Sequence, residues 1–356
     1  HAKFPFWCGG TEYVKKFPQQ DWNFFDKLVF GLDMFSSNPA LMVIVFFVLS
    51  GFFIAYSFEN NKWKIRHFYT NRAIRIYIPY IASIILTIIL FYSATLINNE
   101  LFYSLNEREY NQGLVSNYQN FNFKTVAWNL IFVANPCYIG YNDPYWSLLI
   151  EAFFYLIAPF FVKRKKTFLL ITSILLIAGL FFKNIFLKYL GFEPLSNFIT
   201  LYAFFFALGY FTYWLIFEYK LQNKIKRINV WFYDISAVVI LLTAIYGSFF
   251  INYKYVYLLG GVFTVIAIYR VINYPIKTNW IHKFFISMGK ISYSMYLIHV
   301  PIFILLYSLL VKFTGVEVFY TRIYWFGVVI AVGISYLFYY AVEHQSLKLI
   351  KKFKEK

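Results

Sequence analysis

The sequence predicts an all-α fold, a polytopic transmembrane helix bundle, and three observations carry that prediction. The first is composition: 60% of residues are hydrophobic, 24% aromatic and 14% charged, whereas a soluble domain carries about a quarter charged residues. A water-soluble fold of 356 residues has too little interior to hide this much apolar surface, so lipid is its natural solvent. The second is a series of apolar runs, each near the roughly 20 residues that a helix needs to cross the hydrocarbon core. The third is the placing of the cations between those runs.

Nine runs are long enough, at 38–58, 76–97, 144–162, 167–184, 196–217, 231–250, 255–271, 291–311 and 323–342. The stretch 125–135 (TVAWNLIFVAN) is too short and reads as an interfacial or re-entrant piece packed on the bundle. The segments 59–75, 163–166, 218–230, 270–290 and 343–356 hold 22 of the 33 Lys and Arg, and the segments between them, 1–40, 98–124, 183–195, 251–254 and 312–322, hold the other 11. The two sets alternate without a break. The positive-inside rule then puts the rich set in the cytoplasm, including the tail 343–356, and the loops 1–40 and 98–124 outside. One single integral-membrane domain, 1–356, is expected. With residues 1–40 outside, an odd number of helices is missing before His1 if the native N-terminus is cytoplasmic; one would make ten.

The formal net charge of +17 is assigned to this topology and to anionic membrane lipid headgroups. Nucleic acid is not expected as a partner, because no basic region is large enough to fold as a domain of its own. Cys8 and Cys137 form no CxxC or Cys/His cluster, so no metal is expected. Both fall on the oxidising side, which leaves two readings open, unrelated thiols or a disulfide.

Polar side chains at depth in a bilayer are costly and are functional candidates by default. In the first apolar run Ser50-Gly51 interrupts the helix, and small residues let a backbone or a ligand approach closely. Arg72 and Arg75 share a helix face where the second run meets the cytoplasm. They suit bidentate capture of phosphates, or equally a headgroup anchor that snorkels. Trp146, Ser147 and Glu151 open the third run, with Ser147 and Glu151 four apart on one face. Glu151 lies about 10 Å deep at 1.5 Å per residue, where a carboxylate must be paired, neutral or in a wet cavity. In the eighth run Ser292, Tyr296 and His299 fall on one face by their i, i+4, i+7 spacing, with Tyr293 beside them.

Four stretches, FFVLSGFFI at 46–54, the RAIR–IYIPY run at 72–80, YWSLLIEAFFY at 145–155 and ISYSMYLIHVPI at 291–302, together resemble the acyltransferase-3 family, in its order and roughly its spacing. The family's closing Glu-x-Pro stands here as Glu343-His344-Gln345, without the Pro. The resemblance implies a ten-helix domain of the bacterial cytoplasmic (inner) membrane, here truncated at its N-terminus, that moves an acyl group from acetyl-CoA to a hydroxyl. The acceptor it implies is a carbohydrate such as O-antigen, capsule or exopolysaccharide. His1 resembles the essential His that ends the family's first helix.

On that footing His1 is the expected general base on the acceptor hydroxyl, oriented by a carboxylate with Glu151 foremost. Arg72 and Arg75 are expected to hold the CoA phosphates. Ser50, Trp146, Ser147, Ser292, Tyr293, Tyr296 and His299 are expected to line the substrate channel. A transporter or flippase of a lipid-linked glycan is the rival reading, since polar residues inside a bundle serve permeation as well; an acetyl-CoA turnover assay separates the two.

Overall fold

The computed structural model describes residues 1–61, 64–103, 108–223, 229–274 and 278–354. Parts of the loops read from the sequence, at 62–63, 104–107, 224–228 and 275–277, and the tail residues 355–356 lie outside the described residues. Helices are the only regular secondary structure among the described residues, which contain no strand. Among them nine helices are long and apolar enough to cross a membrane: Pro39–Glu59, Ile65–Ile97, Asp143–Phe161, Lys165–Leu190, Glu193–Glu218, Val230–Gly247, Tyr253–Asn273, Trp280–Thr314 and Tyr324–Lys352. The protein is a multi-pass membrane helix bundle, and each of the nine apolar runs has its helix.

Two helices start well ahead of their apolar runs, and a third, Tyr324–Lys352, runs ten residues past the end of its run. The helix Ile65–Ile97 (α5) starts eleven residues ahead of its run, and the helix Trp280–Thr314 (α15) does the same. A helix needs backbone bonds rather than apolar side chains to continue, so both run on through charged arms, IRHFYTNRAIR at 65–75 and WIHKFFISMGK at 280–290. The arm of α15 is started by Asn279, whose side chain accepts from the His282 N–H at 2.8 Å, satisfying one of the orphan donors of the first turn.

The chain divides into two compact units. One comprises His1–Asp21, Arg66–Leu149 and Thr278–Lys356, the other Trp22–Ile65 and Ile150–Lys277. In the first, α5 and α15 are tied at two levels: the Tyr293 hydroxyl donates to the Ile76 carbonyl at 3.0 Å, and the Ser308 hydroxyl to the Ala94 carbonyl at 2.7 Å. The piece read as re-entrant is a short helix, Phe123–Leu130, that ends well short of a span. Buried Asn129 organises the irregular backbone beyond it. Its amide donates to the carbonyls of Thr125 and Cys137, and its oxygen accepts from the Ile139 N–H. Tyr80 donates to the Asn129 carbonyl and Tyr77 to that of Leu130, so non-helical backbone at this depth is satisfied by protein, as a lipid setting requires.

In the second unit, the helices Pro39–Asn61 (α4) and Ala203–Tyr213 (α12) pack backbone to backbone. A methyl at Gly51 would collide with the Phe206 carbonyl, and one at Gly209 with the Val48 carbonyl. Close approach of helix backbones is therefore the work of Gly51, one of the two readings of the Ser50-Gly51 pair. Lys165 of the KRKK run is buried between Glu218, 2.7 Å away, and Glu59, 2.9 Å away. It is held as the centre of an ion triad.

Candidate active site

Nine of the eleven residues singled out in the sequence fall in the first unit: His1, Arg72, Arg75, Trp146, Ser147, Ser292, Tyr293, Tyr296 and His299. Ser50 and Glu151 belong to the second unit, where the Ser50 hydroxyl donates to the Glu151 carboxylate at 3.4 Å and Tyr155 donates to the same oxygen. That carboxylate links α4 to the helix Trp146–Phe161 (α9).

The centre of the first unit's polar cluster is a pair of imidazoles. His1 Nδ1 lies 2.7 Å from His299 Nε2, with the rings stacked at 4.9 Å. The protons can be placed from the outside in. His299 Nδ1 faces the Met295 carbonyl at 2.9 Å, and a carbonyl only accepts, so Nδ1 carries the N–H. The neutral His299 ring then has its lone pair on Nε2, which accepts from His1 Nδ1–H. The His1 lone pair is thereby left on Nε2. The helix backbone of α15 thus sets both tautomers through one buried histidine, and this assignment follows from the hydrogen-bond network.

Beside the pair, the hydroxyl of Tyr296 donates to the Pro144 carbonyl and accepts from the Ser147 hydroxyl at 2.6 Å. The ring of Tyr296 lies 6.3 Å from that of His299. Trp146 is half-buried at the head of α9. Ser292 does not join this group: it is exposed, and its hydroxyl turns back onto the Gly289 carbonyl at 2.9 Å.

Arg72, half-buried, and Arg75, exposed, stand one turn apart on α5. Tyr293 donates to the carbonyl of Ile76, the residue after Arg75. Glu343, from the closing Glu-x-Gln, is buried in a π-helical turn at Tyr339–Glu343. It accepts from both the N–H and the hydroxyl of Ser294, at 3.1 and 2.5 Å, and lies within electrostatic range of Arg75. Along α15 this basic cluster precedes the imidazole pair by six residues, Tyr293 to His299, about 9 Å of helix.

Two side chains tied into this cluster were not among the site residues expected from the sequence. One is Glu343, noted there only as the Glu of the family's closing motif. The other is Arg108, in a polar loop. Its Nη1 donates to the Pro5 carbonyl at 2.8 Å, the Tyr307 hydroxyl at 2.9 Å and the Glu317 carbonyl at 2.8 Å, and its Nη2 to the Phe4 carbonyl at 2.6 Å. Tyr307 in turn donates to Asn111 Oδ1, and Asn111 to the Glu317 carboxylate. This guanidinium holds the segment just after His1 against α15, the helix that carries His299. The thiols of Cys8 and Cys137 are free. Among the described residues no group of three His, Cys, Asp or Glu is placed to hold a metal.

Set against known proteins, the chain matches a family model described as an acyltransferase domain, acyltransferase-3, over residues 17–340. That span takes in Arg72, Arg75, Ser147, Tyr296 and His299 and leaves out His1. No curated protein and no solved structure matches the chain.

Proposed function

The chain belongs to the acyltransferase-3 family, and from that premise we propose that it moves an acetyl group from acetyl-CoA to a hydroxyl of a cell-surface or exported carbohydrate, in the bacterial inner membrane with its C-terminus in the cytoplasm. The observation that carries this reading is the imidazole pair, in which the N–H of His1 Nδ1 is held by His299 Nε2 at 2.7 Å and the lone pair of His1 Nε2 is left for an incoming proton.

An imidazole titrates near neutral pH and is the usual base for an alcohol. His1 Nε2 takes the proton of the acceptor hydroxyl as its oxygen attacks the thioester carbonyl carbon. The new C–O bond forms, the tetrahedral oxyanion collapses, the C–S bond breaks, and the departing CoA sulfur takes the proton back from the His1 imidazolium. In this reading His299, rather than Glu151, orients the base. Tyr296 and Ser147, hydrogen-bonded to each other and to the Pro144 carbonyl, form a fixed wall beside His299. Arg72 and Arg75 grip the CoA phosphates with planar forks that match phosphate oxygens. The roughly 9 Å between their level and His299 is bridged by the extended arm that carries the thioester.

The test is acetyl transfer by the purified protein from radiolabelled acetyl-CoA to carbohydrate extracted from the host surface. His299→Ala and His1→Ala each lower kcat by about 10²–10⁴-fold, the range of a lost general base, and the double variant loses little more than either alone. Full activity in His299→Ala, or additive losses in the double variant, would falsify the paired-imidazole mechanism. Absence of any acetyl transfer by the wild type would remove the enzyme reading in favour of transport.

A further inference from the structure

A second feature of the first unit lies at the other end of α5 from its arginines. A cleft of about 550 Å³ is lined by Tyr92, Thr95, Asn99, Glu100, Tyr103 and Tyr118. Its volume is that of a small-molecule site, and Leu96 is the one aliphatic side chain in its lining. Tyr92 and Tyr103 are 57% and 61% exposed, so their aromatic faces are open to a ligand in the cleft. The Tyr103 and Tyr118 rings meet edge to face at 4.8 Å, with their hydroxyls hydrogen-bonded to each other. This contact fixes both rings before any ligand arrives. The Thr95 hydroxyl donates to the Tyr92 carbonyl at 2.7 Å, so its proton is already held by the helix.

We propose that this cleft docks the carbohydrate acceptor. The proposal rests on the acyltransferase reading above and gives it a place for its second substrate. A sugar ring has an apolar face of C–H groups and a rim of hydroxyls. The first packs on an aromatic face, and the second needs amide and carboxylate partners of the kind Asn99 and Glu100 supply. Lipid chains would require walls without the carboxylate and amide. An anionic donor such as CoA would require cations, and the lining has none and includes Glu100.

Position supports the same assignment. From Arg75 to Tyr92 α5 rises about 26 Å, close to the roughly 30 Å of a hydrocarbon core, so donor and acceptor enter at opposite faces. The helix Glu109–Gln119 (α7) links the cleft to the chemistry. Arg108 at its head clamps the segment after His1, and Tyr118 near its end lines the cleft, about 15 Å apart along the helix. The acceptor is accordingly an extended saccharide chain, gripped at a distance from the sugar that reacts.

The experiment uses the full-length protein in host cells that lack the chromosomal copy, with the native surface carbohydrate as probe. Three quantities are read: acetyl per unit of extracted carbohydrate, the amount of protein in the membrane, and acetyl-CoA binding by the purified variant. Tyr103→Ala and Tyr92→Ala, both at exposed positions, lower acetylation by at least about tenfold, as loss of an aromatic contact implies. Membrane level and acetyl-CoA binding stay at wild-type values, and Glu100→Gln gives a smaller loss. Wild-type acetylation in both tyrosine variants overturns the cleft assignment, as does a loss matched by equal loss of acetyl-CoA binding. If wild-type protein adds no acetyl to any carbohydrate, the acyltransferase reading itself has failed, and the two failures are told apart by that single control.

Discussion

His1 and His299 stand 298 positions apart in sequence, and neither carries a local mark of the other. His299 was legible as a polar residue deep in an apolar run, and His1 only through a resemblance; their partnership was not legible at all, because hydrogen bonding between distant helices leaves no periodicity. Arg108 was hidden for a different reason. A lone arginine in a loop rich in Asn and Tyr looks like a solvated charge, and only the fold shows its donated bonds to Phe4, Pro5, Tyr307 and Glu317. Three of those acceptors are main-chain carbonyls, so their own sequence positions record nothing. In the mechanism proposed above Arg108 acts as a positioning residue, through the His1 segment. Arg108→Ala is expected to lower kcat about 10²-fold or more, because small displacements of a catalytic group are costly, while the KM for acetyl-CoA changes little. Arg108→Lys keeps the charge but not the fork and recovers only part of the rate. A rise in KM with unchanged kcat would assign Arg108 to donor binding instead.

The elements were the most readable layer. Nine hydrophobic runs became nine helices among the described residues, with ends that agree to within six residues except at the starts of α5 and α15 and at the end of the last helix, which runs on to Lys352. Hydropathy reports the thickness of the membrane and cannot report a helix that outlasts it. The Ser50-Gly51 pair illustrates a signal with two meanings. Gly51 admits the Phe206 carbonyl and Gly209 admits the Val48 carbonyl, so the α4–α12 contact is reciprocal. Rigid backbone on both sides leaves no room for a shift. Gly209→Ala is therefore expected to destabilise the protein by about 1–3 kcal/mol or more through overpacking, read as a lower thermal midpoint in detergent. Gly333→Ala serves as the control, since a methyl there meets nothing within 4 Å, and it leaves the midpoint unchanged. Equal midpoints for the two variants would mean that α4 and α12 are not in backbone contact.

At the scale of the whole molecule, the charge alternation sorts the loops to two sides, and contacts within each unit pair ends of the same predicted side. In the second unit Glu59, Lys165 and Glu218 close on one another at the ends of three helices, and Arg270 meets Asp234 at 2.8 Å; all five lie in or next to segments read as cytoplasmic. In the first unit the segments read as external meet likewise: Cys8 N–H donates to the Phe319 carbonyl, and Asn111 to Glu317. The orientation follows as a prediction with a chemical readout. Cys8 and Cys137 are free and only partly buried, and in both burial raises the thiol pKa above its ordinary value. The thiolate is the reactive form, so a membrane-impermeant maleimide applied to intact spheroplasts labels them slowly near neutral pH. The rate climbs as pH rises, about tenfold per unit while the thiol stays mostly protonated. With both cysteines changed to Ser, a Lys163→Cys variant, at an exposed position of the KRKK run, is labelled only after the membrane is opened. Labelling of Lys163→Cys in intact spheroplasts, with Cys8 and Cys137 protected until lysis, would invert the molecule. Arg72 and Arg75 would then face away from the cytosol, and a cytosolic phosphate-bearing donor could not reach them.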